Sequence, residues 1–331
     1  VTETVTDNDT RDGMETGEVE PIAGLGPYRL ITRADFDGIV SAVLLRERGL
    51  IGDVTFATPN DMQGGRIPVS NTVITSNLPY VPGVHLAFDH HTSEVTRVGP
   101  QNNLIIDSGA PSAARVIFKH YGGAEAFPEI SAEMMDAVDQ ADSAAYDEMD
   151  ILAPDRWTML NFVVDPRTGL HRFRDFEISN DQLMLDLTRY CRRHSIEEIL
   201  HLPDIEERVH LYLEHKEKAE HQARRNATLR PPLLIIDYRG EVVHYACNRF
   251  MIYALYPEAN ISLALSRAPR QGFTEIALGR SIINRTSTID VGHLLLPYDG
   301  GGHATAGTCQ VADDCVDDVV AALVAHIRAA G

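Results

Sequence analysis

An α/β protein of two domains is what this sequence predicts, and three observations carry the prediction. Short apolar runs of strand length alternate with helix-patterned stretches from residue 28 onward, the pattern of a mostly parallel sheet with right-handed crossovers. The 331 residues exceed what one core ordinarily organises. After a long charged stretch, Pro231-Pro232 breaks the chain and a second group of strand-like runs begins. The expected architecture is a larger parallel-sheet α/β domain and a smaller mixed α/β C-terminal domain, with a cleft between them.

Residues 1–26 are rich in Thr, Glu, Asp and Gly and almost free of large apolar side chains, so they read as a flexible acidic tail. The first domain is expected over 27–203. Tyr28 to Thr32 is a strand, and residues 39–48 form a buried helix closed by Gly49. Val54–Ala57, Thr72–Thr75, Val84–Phe88 and Leu104–Ile106 are further strands, with a turn-rich loop at 60–68. Ser112 is the N-cap of the next helix, and Ser131–Ala145 and Asp181–Arg193 carry helical patterns. A highly charged helix over 204–230 serves as linker, with one apolar stripe at Ile205, Val209, Leu213 and Ala219. The second domain, 231–331, takes strands from Leu233–Asp237, Val242–Tyr245, Ile261–Leu265 and Thr274–Leu278. An amphipathic helix from Asp313 to Ala330 covers them. No internal repeat is present.

Composition narrows the class of function. With 44% hydrophobic and 23% charged residues the chain is globular. No apolar run reaches the roughly 20 residues of a membrane helix, and no signal peptide is expected. A net charge of −19 excludes non-specific binding of long or duplex nucleic acid, which needs a basic surface, yet permits a short anion in a locally positive pocket. Cys191, Cys247, Cys309 and Cys315 lie far apart, so neither a zinc motif nor a disulfide framework is expected and a reducing cytoplasm fits.

The chemistry gathers at strand ends. Asp89-His90-His91 ends one apolar run, and Asp35-Phe36-Asp37-Gly38 follows another. Ligands collect at the carboxyl ends of strands in open α/β sheets, and oxygen and nitrogen donors together fit a divalent metal. Either cluster alone is as readily a solvated loop; both together are not. Asp139 and Asp142 add carboxylates on a helix, where such residues commonly just face water. Gly300-Gly301-Gly302-His303 would let backbone amides approach an anion, with Arg280-Ser281 upstream, although most glycine runs are turns.

Asp35-x-Asp37-Gly38, Asp89-His90-His91 and Gly300-Gly301-Gly302-His303, in that order and spacing, resemble the DHH phosphoesterase family with its DHH-associated C-terminal domain. The resemblance covers about residues 27 to 331 and is nearest to members named exopolyphosphatase-like or oligoribonuclease-like. It implies that Asp35, Asp37, His90 and Asp142 hold a divalent metal, manganese before magnesium or cobalt. Asp139, one helical turn from Asp142, is the alternative ligand. His91 would lie beside the reacting phosphate, as ligand or proton donor, with Asp89 orienting a histidine. Arg280, Gly301, Gly302 and His303 would hold substrate phosphate from the second domain. Homodimers are common among similar proteins.

Two positions depart from the family pattern. Arg33 stands where many relatives carry His or Asp, and Asn77 where an aspartate bridges two metals. Both changes weaken a dinuclear cation site, and Arg33 gains the chemistry to bind a substrate phosphate directly. The reading is a metal-dependent phosphohydrolase in which His91, Asp37 and Arg33 serve catalysis and Asn77 is a fifth ligand position. Its substrate is short and anionic: an oligoribonucleotide, a bisphosphonucleotide, a dinucleotide or polyphosphate. The alternative is a weakened relative that binds a nucleotide or phosphate without turnover.

Overall fold

The computed structural model describes Gly26 and residues 28–329. The tail expected at 1–26 therefore lies, Gly26 apart, outside the described residues. Five strands, β1 (Tyr28–Arg33), β2 (Ile51–Ala57), β3 (Val73–Ser76), β4 (Leu86–Asp89) and β5 (Leu104–Ile106), form an all-parallel sheet in the order β2-β1-β3-β4-β5. The chain steps from β1 outward to β2 and then crosses back to β3 on the other side. Loops leaving the carboxyl ends of β1 and β3 diverge at this reversal and open a crevice between them.

Helix α1 (Phe36–Glu47) is buried without a break from Phe36 to Leu45, as its mostly apolar sequence from Ile39 requires. Around it stand α2 (Pro59–Gln63), α3 (Thr92–Val98), α4 (Ala113–His120), α5 (Ala132–Asp142), α6 (Glu148–Leu152), α7 (Arg156–Val164), α8 (Asn180–Arg193) and α9 (Ile196–Leu200). Part of the loop expected at 60–68 is thus helical: α2 is held by a capping box in which Thr58 and Asp61 bond reciprocally. Ser112 caps α4 by accepting from Arg115 N at 3.0 Å.

Helix α10 (Pro203–Asn226) joins the first core through Ile205, Tyr212, Ala219 and Ala223. Its buried face differs from the expected stripe. Leu213 is 46% exposed, whereas Arg208 and His215 are buried. Positions 205, 208, 212, 215 and 219 share one face at 3.6 residues per turn, and Leu213 lies off it. Arg208 is accommodated because its guanidinium donates to Ile178 O and Asp204 O and stacks on Phe176 at 3.9 Å.

The second sheet comprises β6 (Ala227–Arg230), β7 (Leu233–Asp237), β8 (Ile261–Arg267), β9 (Phe273–Arg280), β10 (Gly301–Gly302) and β11 (Ala306–Ala312). Their order is β10-β11-β9-β8-β7-β6, and only β7 and β8 run parallel. Leu233, Leu263, Ile276 and Cys309 on one face pack on α12 (Val291–Leu295) and α13 (Val316–Ala329). Leu234 and Ile236 on the other face meet Ile252 of α11 (Met251–Leu255). The strand expected at Val242–Tyr245 is irregular chain, with Val242 89% exposed. Side chains take its carbonyls in place of a strand: Val243 O accepts from Gln222 Nε2 at 2.7 Å and His244 O from Arg172 at 2.8 Å.

Candidate metal centre and its arginine rim

Strand ends β1, β3 and β4 deliver the acidic residues to the crevice. Asp35 is the N-cap of α1, its Oδ1 accepting from Gly38 N at 3.0 Å, which turns the chain sharply and brings Asp37 inward. Both oxygens of Asp37 accept backbone amides at the start of α4, from Ala113 N at 3.0 Å and Ala114 N at 2.7 Å. A carboxylate at a helix N-terminus is favourably placed against the helix dipole. Asn77 follows β3 in the left-handed region (φ 55°), 1% exposed. Its Nδ2 points at Asp35 Oδ1 (3.4 Å), while its Oδ1 is buried without a hydrogen-bond partner.

His90 and His91 leave β4 in different directions. His90 Nδ1 lies 3.2 Å from Ala110 O, which assigns the proton to Nδ1 and leaves Nε2 facing Asp142 Oδ2 at 2.8 Å. His91 Nδ1 lies 2.7 Å from Asp89 Oδ1, so its Nε2 faces outward. Asp89 also accepts from His90 N (2.9 Å), and its other oxygen is buried and unpartnered. Asp142, at the end of α5, is the helix carboxylate that meets His90. Asp139 is taken up by Arg115 (2.6 Å) and Ser112 Oγ (2.7 Å) on α4.

Asp37, His90 and Asp142 each bring a ligand atom within 4.8 Å of the others, as do Asp89, His90 and His91. Asp35 stands beside these sets, paired through Oδ2 with Arg33 Nε at 3.1 Å. Burial raises the pKa of Asp37 well above the usual carboxylate range, and the charges of Asp142 and Asp35 add to this. Asp35 is raised by burial as well, with Arg33 opposing. Burial works against a charged His90, yet Asp142 and Asp37 carry its pKa up to about 9. Burial also works to raise Asp142, but His90 outweighs it and holds that carboxyl below its ordinary value. Crowded carboxylates, an imidazole nitrogen with a fixed tautomer and an orphaned amide oxygen at Asn77 form a donor set that fits a hard divalent cation.

Sequence reading missed the cations on the rim. Arg167, 38% exposed at its side chain, is bonded to Asp165 at 2.7 Å, and its charge reaches Asp35 and Asp142. Arg249 lies close enough to feel Arg167 and Arg33; burial and those charges lower its pKa to about 10. Neither arginine belongs to a recognisable motif, and only an isolated Asp-Pro-Arg turn marks the first.

Arg280, Gly301, Gly302 and His303 sit on the second sheet. Arg280 N donates to Thr305 O, and the amides of Gly300 and His303 are spent on Leu295 O and Ala306 O. The glycine run is a tight hairpin and not an open nest of free amides. A Cβ on Gly302 would fall 2.3 Å from Ala306 O, whereas Gly301 faces open space and His303 is exposed. Among the described residues no hydrogen bond or ion pair joins these four to the acidic cluster. The loop after Arg280 does approach it: Arg285 donates to Ala144 O, two residues past Asp142 (3.0 Å).

No family model and no curated protein matches the chain. Solved structures do. One described as the pGpG-specific phosphodiesterase PggH from Vibrio cholerae is 46% identical, with a TM-score of 0.84, over 92% of this chain and 100% of that one. Exonuclease RecJ from Thermus thermophilus, in complex with Mn2+, shares 14% identity at a TM-score of 0.52 and covers 91% of this chain and 52% of its own. CDC45 from Entamoeba histolytica shares 7% at 0.52, over 92% and 95%. The latter two show a common fold.

Proposed function

The chain belongs to the DHH phosphoesterase family, and from that premise we propose that it is a metal-dependent phosphodiesterase cleaving a 5′-phosphorylated guanine dinucleotide. The observation that carries the reading is the trio Asp37, His90 and Asp142 at the sheet's reversal, with the Arg33 guanidinium paired to the adjoining Asp35. The 46% identity to a pGpG-specific enzyme supports the substrate.

Asp37, His90 and Asp142 would hold the cation, with Asp35 and the Asn77 oxygen completing the set. When bound, a divalent cation, manganese first, neutralises phosphate charge and acidifies a water. Arg33 and Arg167 offer guanidinium donors to the non-bridging oxygens, where charge builds as the phosphorus is attacked. His91, anchored through Nδ1 on Asp89, presents Nε2 to deliver a proton to the leaving 3′-oxygen. One water adds to phosphorus, the bond to the 3′-oxygen breaks, and two mononucleotides result. Gly301, Gly302, His303 and Arg280 are assigned to substrate from the facing sheet. Asn77 and Arg33 fit this scheme, the first as a neutral ligand and the second as a phosphate donor. The four cysteines are all free, which supports a reducing cytoplasmic setting.

The test is metal analysis of gently purified protein together with Mn2+-dependent hydrolysis of pGpG, a bisphosphonucleotide and polyphosphate. Bound metal with pGpG turned over in preference is the expected result. Folded protein that takes up no metal and hydrolyses none of the three would overturn the reading.

A further inference from the structure

Beside the acidic site lies a cavity of about 580 Å³ that no motif marks. Its walls are the turn at 166–172, the irregular chain at 244–249 and the inner face of the second sheet. The volume falls within the range of small-molecule sites. Arg167 belongs both to this wall and to the rim of the acidic site, so the two spaces adjoin.

The cavity is electropositive in a protein of net charge −19. Arg167, paired with Asp165, and Arg172, Arg249 and Arg267 line it against one acidic lining residue, Glu275. Arg172 and Arg267 are fixed by carbonyl oxygens, of His244 (2.8 Å) and Arg239 (2.8 Å), which leave their charge unneutralised. Arg249 makes no hydrogen bond or ion pair among the described residues, and its guanidinium lies 4.5 Å from the ring of Phe250. Aromatic walls complete the site: Tyr238, edge-on to His244 at 5.8 Å, and Tyr245. Arginines with aromatic faces are the combination that holds a nucleotide by phosphate and base.

We propose that this cavity receives the end of the substrate remote from the scissile bond, with Arg249, backed by Arg167, binding a terminal phosphomonoester and Tyr238 and Tyr245 walling the base. The proposal rests on the reading of the acidic site as a phosphodiesterase and adds how the 5′ end of the substrate is recognised. A dinucleotide spans from the metal ligands to Arg249. A strand lacking that phosphate loses the anchor, whereas a longer 5′-phosphorylated strand keeps it.

Steady-state kinetics with pGpG, GpG and pGpGpG on the metal-loaded wild type, Arg249→Ala and Arg249→Lys test this. Calorimetric binding of pGpG to chelator-treated protein accompanies them. Wild type should favour pGpG and pGpGpG over GpG. Arg249→Ala should raise KM for pGpG about 10- to 100-fold, the loss of a charged hydrogen bond, with kcat little changed and GpG unaffected. Binding should weaken in parallel, and Arg249→Lys should recover part of it. Arg249→Gln replaces the alanine variant if that variant melts early. Unchanged KM and intact discrimination against GpG in the alanine or glutamine variant would overturn the proposal. Wild type inert toward all three would instead sink the phosphodiesterase reading, while the calorimetry still judges the anion site.

Discussion

Asp139 and Asp142 are one helical turn apart on α5, yet they face different partners, and substitution should separate their roles. Asp142→Asn removes the carboxylate opposite His90 and should abolish high-affinity metal uptake, lowering kcat/KM by about 100-fold or more. Asp139→Ala leaves Arg115 and Ser112 without their main acceptor and should cost about 1–3 kcal/mol in urea unfolding. Metal content in that variant should be unchanged. Equal metal loss in both would contradict the assignment. His90 supplies a pH signature. Its folded-state pKa is raised from 6.5 to about 9, so in chelated protein its contribution is complete below pH 6.5 and is lost as pH rises through 9. The raised carboxyls of Asp35 and Asp37 act with the same sign. The melting temperature of chelated protein should therefore fall from pH 6.5 to 9, and saturating Mn2+ should remove most of that fall, because bound metal replaces the proton at Nε2.

At the scale of elements, the β1–α1 turn carries the site. Gly38 is there because a Cβ would stand 1.9 Å from Arg33 O, a backbone atom that cannot yield. Gly38→Ala should displace the turn that aims Asp35 and Asp37. The expected cost is about 1–3 kcal/mol of stability and a loss of metal affinity out of proportion to it, measured by denaturation and metal titration on the same sample. Normal metal affinity in a destabilised variant would show that the turn tolerates the shift. The start of α4 is the second such element. Ser112 caps it and binds Asp139, while the next two amides grip Asp37. One helix terminus thereby ties the first strand's carboxylate to α5.

For the whole molecule, two cores meet where α10 and α11 pass between the sheets. No helix among the described residues is long and apolar enough to cross a membrane. The net charge of −19 repels a polyanion over about 8 Å at physiological ionic strength, and only a ligand small enough to enter the arginine-lined recess escapes that field. Fluorescence anisotropy should accordingly show no binding of a long duplex at physiological salt, under conditions where pGpG competes for the site. A metal held by Asp37, His90 and Asp142 would tie the strand ends of the first sheet to α5, so Mn2+ at a hundred times its Kd should add about 2.7 kcal/mol to unfolding of the intact chain.

Much of the candidate metal centre was legible in the sequence because its signals are local. Apolar runs end at Arg33, Ser76 and Asp89, and a carboxylate or imidazole just past a parallel strand has one crevice to enter. Ser112 announced its cap by residue type alone, and α1 its burial by the mostly apolar stretch at 39–45. Local signals also misled: Val242–Tyr245 has the composition of a strand but Gln222 and Arg172 take its carbonyls, and Leu213 is apolar but off the buried face of α10. What only the tertiary structure decided is which distant groups share a space. Asp142 meets His90, Asp139 meets Arg115, and Arg167 and Arg249 close on a carboxylate cluster far from them in sequence. Those meetings depend on the order in which the strands cross and on how α10 seats the second sheet, and no periodicity of a few residues encodes them.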